Sequence, residues 1–293
     1  MITAKRPGKT ARSAVPGNLL VAFYLLEFVG ATAVAGLGWT GGRALGLACG
    51  QFLPLWWPMY LAVYNLDRLY ADPADALNTP VRSAWSERLR PWRWGVFGAS
   101  ACLLAAWALR SQRHWVVWAA AVALAVLQFY SRPVPRFGGR LKDLPGLKSL
   151  LAPGAISLML VAWPVWEARR PLGPREATVL AWCFLGLFIN GLAFDLRDLE
   201  GDRRHGTKTL AVWLRPGGTR WLIRGLIPAF VALTALLADR LGAAPLVLAG
   251  LGGLALGGPG LEPGLSGMRL SVTADVFLLL PTLAGAVQEA LRR

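Results

Sequence analysis

The sequence predicts an all-α integral membrane protein of about nine transmembrane helices, and three observations carry that reading. Hydrophobic residues make up 55% of the 293 positions and charged residues only 16%, with a mean hydropathy of +0.46. That is too little polar surface for a water-soluble globule of this length. Apolar stretches near the length needed to cross about 30 Å of hydrocarbon recur along the whole chain. The cations, finally, gather in alternate loops, the pattern that orients helices in a bilayer.

The candidate spans cover residues 18–38, 44–64, 93–110, 114–131, 150–166, 177–194, 218–238, 243–258 and 270–290. Several fall short of ~20 residues. The eighth is rich in Gly and Pro, which bilayer helices tolerate because neighbouring helices satisfy the freed backbone groups. Ahead of the first span, MITAKRPGKTARSAVPG is basic and lacks a compact apolar core with a small-residue cleavage site, so residues 1–17 read as a retained tail. No low-complexity linker or composition break marks a second unit, and residues 1–293 read as one membrane domain. Cys49, Cys102 and Cys183 fall inside apolar segments without metal spacing, as small packing residues do.

The net charge of +15 suggests a polyanionic partner until its distribution is followed. With loops assigned alternately, the N-terminal side holds 21 cations and the opposite side nine, Arg224 lying within a span. This bias puts the N-terminus and the even-to-odd loops in the cytoplasm and removes nucleic acid as a partner; the expected location is a bacterial or archaeal plasma membrane. Trp56, Trp57, Trp92, Trp94, Trp115 and Trp166 lie near span ends, where amphipathic rings favour the interface.

Two acidic loops stand out on the cytoplasmic side. After the sixth span, FDLRDLEGDRRHGTKTL spaces Asp195, Asp198 and Asp202 three and then four apart. On an ideal helix they stand at about 0°, 300° and 340°, so their carboxylates share one sector. Stacked like charges call for a cation, and all-oxygen ligands suit Mg²⁺, which keeps waters and is completed by substrate phosphates. The plainer alternative is a solvated helix end in which Arg197, Arg203, Arg204 and Lys208 pair with the aspartates. Position favours the first reading, since the cluster directly continues an apolar span. Gly201 marks a close approach, and Gly206 a helix stop.

After the second span, YNLDRLYADPADALNTPVRSAWSERLR carries Asp67, Asp72 and Asp75, at about 0°, 140° and 80° on an ideal helix. Asp67 and Asp75 are facing ligands, and Asp72 is either a third ligand or the cap of a helix opening at Pro73. Asn65 adds an amide oxygen; Asn78, Pro80 and Arg82 close the loop, with Arg82 on an anion or at the interface.

Together these loops resemble the UbiA superfamily of intramembrane prenyltransferases. DLRDLEGDRRHGTKTLAV follows that family's DxxDxxxD pattern with its glycine and Gly-x-x-Thr-Leu tail, and DALNTPVR resembles the segment after the last aspartate of the first motif, which is Asp75 here. The first motif departs from the usual NDxxDxxxD: DRLYADPAD spaces its aspartates five and then three apart. FYSRPVPRFGGRLKDLPGLK is similar to the family's Tyr- and Lys-bearing loop, with Tyr130 and Lys142 in those places and Lys148 as the competing lysine.

The resemblance implies a helical membrane domain around a central cavity, in which Mg²⁺ held by Asp67, Asp72, Asp75, Asp195, Asp198 and Asp202 binds a prenyl diphosphate. Lys142, Arg68, Arg140 and Tyr130 then contact the diphosphate, and Lys142 and Asp198 are the catalytic candidates. The implied reaction moves the prenyl group to a hydrophobic acceptor, aromatic or a quinone precursor, within the bilayer. Three rival readings differ in outcome: a membrane terpene cyclase, an ion transporter and a non-enzymatic scaffold. Transport is disfavoured because the carboxylates stand at span ends and the helix centres hold few ionisable groups.

Overall fold

A computed structural model describes residues 19–69, 77–113, 116, 121–122, 130, 140, 143–262 and 267–292, and among them there is helix and no strand. Five helices are long and apolar enough to cross a membrane: 147–167, 174–197, 210–236, 243–261 and 267–287. They fall on the five C-terminal spans expected from the sequence, including the Gly- and Pro-rich eighth. Within the first four expected spans the described helices are broken, shorter or more charged, and the fourth lies mostly outside the described residues.

The first expected span is two helices, α1 (Leu19–Leu25) and α2 (Phe28–Ala44). Between them Glu27 takes a left-handed conformation, φ 71°, rare for a residue with a side chain. Its carboxylate accepts from Arg82 Nη2 at 3.1 Å and lies 3.7 Å from Arg68 Nε, so two guanidiniums hold an acid that an unbroken apolar helix would have left unpaired. A 3₁₀ turn then leads into α3 (Leu53–Leu69), followed by α4 (Pro80–Arg88) and α5 (Arg90–Arg110). Pro80 and Pro91 stand in the first turns of α4 and α5, where a missing N–H costs nothing.

The C-terminal part begins with α6 (Leu147–Glu167), which carries a π turn at Leu158–Ala162, and α7 (Pro174–Arg197). Next come α8 (Leu199–Arg204), α9 (Leu210–Leu236), the single turn α10 (Ala238–Leu241), α11 (Ala243–Gly257) and α12 (Gly267–Arg292). Arg215, the residue before Pro216, breaks the helical backbone inside α9 with φ 60° and ψ 168°; only its extended ψ is what a following proline favours.

Helix α7 packs against α6, α9 and α12, and α2 lies between α3 and α12. Small residues bring α2 this close: a Cβ on Gly38 would fall 2.8 Å from the Trp56 ring. Trp182 of α7 stacks on Phe230 of α9 and donates to Thr234 Oγ1 at 2.9 Å. Outward-facing Trp92, Trp166, Trp221 and Leu254 are exposed, as an exterior solvated by lipid tails and headgroups requires. Trp56 corrects the interface expectation: it is fully buried, stacked on Phe52. Cys49 and Cys183 are buried free thiols and Cys102 an exposed one.

Candidate active site

The second acidic motif occupies the junction of α7 and α8, where the helix does not run straight through. Asp198 has φ −90° and ψ 5°, ending α7 and opening α8. Gly206 (φ 76°) stops α8, and Thr207 N–H returns to Asp202 C=O at 2.9 Å, as expected of a left-handed helix stop.

At that step the three carboxylates take different hydrogen-bond partners, while Lys148 stays within electrostatic reach of all three. Asp195 and Asp202 are both buried and share one cation. Lys148 Nζ donates to the two Asp202 oxygens at 2.9 and 2.7 Å and lies 3.8 Å from Asp195 Oδ1. Ser149 Oγ donates to Asp195 at 2.5 Å and accepts from Leu210 N–H at 3.1 Å, tying the start of α9 to the site. Asp198 instead receives the fork of the neighbouring Arg197, Nε and Nη2 each at 2.7 Å, while Nη1 donates to Ser271 of α12 at 2.7 Å. Burial pushes the Asp198 carboxyl up, but Arg197's charge and hydrogen bonds outweigh it and hold the group at about 2.

The first acidic loop reaches the same place. Asn78 Oδ1 accepts the backbone N–H of Gly201 at 2.5 Å, the close approach that the glycine announced. Asp67 stands at the end of α3, and Tyr130 lies within electrostatic reach of both Asp67 and the pair Asp195 and Asp202. Arg68 is within reach of Asp198 as well as Glu27. The other first-loop ligands expected, Asp72 and Asp75, and the lysine expected to bind diphosphate, Lys142, lie outside the described residues.

One expectation changes role. Asn65 is fully buried and faces the helix packing, not the loop: its amide donates to Leu26 and Leu61 carbonyls at 3.0 Å, and its oxygen accepts from the buried Arg93. It sits in mid-helix, where the neighbouring break at Glu27 leaves a carbonyl to satisfy. Arg82 neutralises Glu27. Arg140 forks onto Asp143 at 3.0 Å and reaches Thr207 Oγ1 at 3.2 Å, fixing the loop before α6 against the turn after α8. Although burial raises the Asp143 carboxyl, hydrogen bonds from Arg140 and Thr207 bring it below its ordinary range.

Among the described residues no three Asp, Glu, His or Cys side chains stand close enough to hold one metal ion. The donor chemistry nevertheless fits a hard divalent cation. Two buried carboxylates, Asp195 and Asp202, face the ammonium of Lys148, which stands where a cation belongs.

Family comparison places the chain as a whole. A model of the UbiA prenyltransferase family matches residues 19–258. The chain belongs to that family. No curated protein and no solved structure matches it. UbiA membership supports intramembrane prenyltransferase-type activity in general terms, and the five apolar helices fit an integral membrane protein. The matched segment ends before α12, yet α12 supplies Ser271 to Arg197. Sequence reading missed Ser149, Ser271 and Glu27 because each looks like an ordinary polar residue in an apolar run. Arg197 was legible only as a neutralising neighbour.

Proposed function

We propose that this UbiA-family chain is a Mg²⁺-dependent prenyltransferase of about nine transmembrane helices. It moves a prenyl group from a polyprenyl diphosphate to a hydrophobic, aromatic or quinone-precursor acceptor inside the bilayer, as a step of isoprenoid biosynthesis. The observation that carries the reading is the buried group Asp195, Lys148 and Asp202, joined to the first acidic loop by the Asn78–Gly201 hydrogen bond. The domain spans residues 1–293 and the acidic loops face the cytoplasm, in keeping with the cation bias.

Asp195 and Asp202, with Asp198 and the first-loop aspartates Asp67, Asp72 and Asp75, would hold the metal. Bound Mg²⁺ supplies charge neutralisation to a departing diphosphate. Lys148 is a compact point charge already inside the site, and it contributes a fixed cation facing the same leaving group. Lys142, Arg68 and Arg140 add further positive charge, and Tyr130, within electrostatic reach of both acidic groups, orients the diphosphate. Arg197 keeps Asp198 ionised and fixed against α12. The surrounding apolar helices keep bulk water from the allylic carbon once its bond to oxygen weakens.

The test is diphosphate release from a panel of prenyl diphosphates and acceptors by the purified chain, with and without Mg²⁺. Metal-dependent release with a joined product is expected, and Asp202→Ala or Asp198→Ala should abolish it while membrane insertion persists. Full activity in both variants would remove the metal assignment. A lone cyclic hydrocarbon as product would make the chain a cyclase, and ion flux without chemistry a transporter.

A further inference from the structure

Beyond the metal site, two arginines of α9 are unaccounted for. Arg220 and Arg224 are both half-buried in a membrane-crossing helix, and Arg215 adds an exposed guanidinium at the break just before them. They lie toward the end of α9 that Leu210 N–H ties to Ser149. Among the described residues none of the three arginines pairs with a carboxylate. The acids on the adjoining α8 are taken, Glu200 by Arg204 at 2.6 Å and Asp202 by Lys148 at 2.7 Å. Helix α11, packed against α9, carries no acid at all, and Glu262 beyond it pairs with none of the arginines.

Arg224 is fixed where it stands. A Cβ on Gly253 would fall 2.6 Å from Ile227 Cγ2, so α9 and α11 approach closely there, and Arg224 Nε donates to the C=O of Gly257, the last residue of α11, at 2.8 Å. Its guanidinium carbon lies 5.6 Å from the Trp221 ring centroid. Capping that carbonyl uses one of five N–H donors and does not cancel the charge. Arg220 stands four residues earlier, on the same helix face, and its buried Nε meets no acceptor among the described residues. Like charges at this spacing repel, and a guanidinium within a membrane helix is costly until an anion meets it. Two planar forks side by side suit a phosphate. Trp213 and Trp221, 82% and 72% exposed, put this stretch at the headgroup level, and the exposed Leu251 and Leu254 of α11 continue it as an apolar wall.

We propose that Arg220 and Arg224 hold the phosphodiester of one anionic phospholipid, whose acyl chains lie along Leu251 and Leu254. Basic pockets between membrane helices take such headgroups. The proposal is independent of the prenyl-transfer reading. Selectivity follows from charge: a zwitterionic headgroup carries its own cation beside the phosphate and leaves the arginine pair uncancelled, whereas a net-negative headgroup cancels it. Side chains that only snorkel to the interface would accept any phosphate-bearing lipid.

The experiment titrates the full, delipidated chain in neutral detergent with phosphatidylglycerol and, separately, with phosphatidylcholine, counting bound lipid by native mass spectrometry. One phosphatidylglycerol held about tenfold more tightly than phosphatidylcholine is expected. Arg220→Gln, which leaves the Arg224 cap on α11 in place, should weaken phosphatidylglycerol about tenfold and leave phosphatidylcholine unchanged, whereas Arg240→Gln, just past the other end of α9, should alter neither. Phosphatidylglycerol carrying a diazirine near its headgroup should mark residues 213–224 or 251–258. Equal retention of the two lipids, full phosphatidylglycerol affinity in Arg220→Gln, or marks confined to other segments overturn the site. Displacement of phosphatidylglycerol by equimolar inorganic diphosphate would make this a soluble-anion site and overturn the lipid assignment. Should Arg220→Gln misfold, the wild type decides: rising NaCl should release phosphatidylglycerol and spare phosphatidylcholine, and retention indifferent to salt counts against the proposal.

Discussion

Asn78 and Gly201 join the two acidic loops through a hydrogen bond, side-chain oxygen to backbone N–H, across 123 positions of chain. Gly201 is buried, so its N–H has no water to turn to if that oxygen is removed. We expect Asn78→Ala to destabilise the protein by about 1–3 kcal/mol, the cost of an orphaned buried donor. Thermal unfolding in detergent measures it, and turnover should fall with it because the loops lose their register.

Lys148 neutralises one of two buried carboxylates that otherwise repel. Lys148→Met should lower the Tm of metal-free protein by several degrees, and added Mn²⁺ should restore more of it than it adds to the wild type. Apparent Mn²⁺ affinity, followed by electron paramagnetic resonance, should rise in this variant because the competing ammonium is gone. An unchanged metal-free Tm would mean that the pair contributes nothing to stability.

The Arg197–Asp198 fork gives a pH dependence of definite sign. The folded carboxyl, at about 2, lies below its ordinary value of 3.8, so the stabilisation is complete above that ordinary value and is lost as pH falls through the interval toward 2. In chelator-treated protein, Asp198→Asn should be less stable than wild type at pH 7, and the difference should close below about pH 4. Equal Tm values at neutral pH would count against it.

Gly30 sits under the Tyr60 ring, where an added Cβ would fall 2.5 Å from the phenolic oxygen. Gly30→Ala should therefore push Tyr60 from its place against Tyr64 and cost about 1–3 kcal/mol, as overpacking does. Thermal unfolding checks the cost, and tyrosine fluorescence the displacement.

By itself the sequence determined the bilayer as solvent, because so apolar a chain has no other way to cover its side chains, and it located the C-terminal helices through runs of the length a bilayer demands. It also showed the second acidic motif, since carboxylate spacing, the glycine at 201 and the stop at Gly206 are local properties of the chain. Only tertiary structure decided which carboxylates meet which cation. The helix step at Asp198 and the fork of Arg197 divert one aspartate, and Lys148, from another helix, claims the other two. Glu27 was unreadable as a partner for the same reason. It is a single acid in an apolar run, and what neutralises it comes from helices distant in the chain, brought near only by packing.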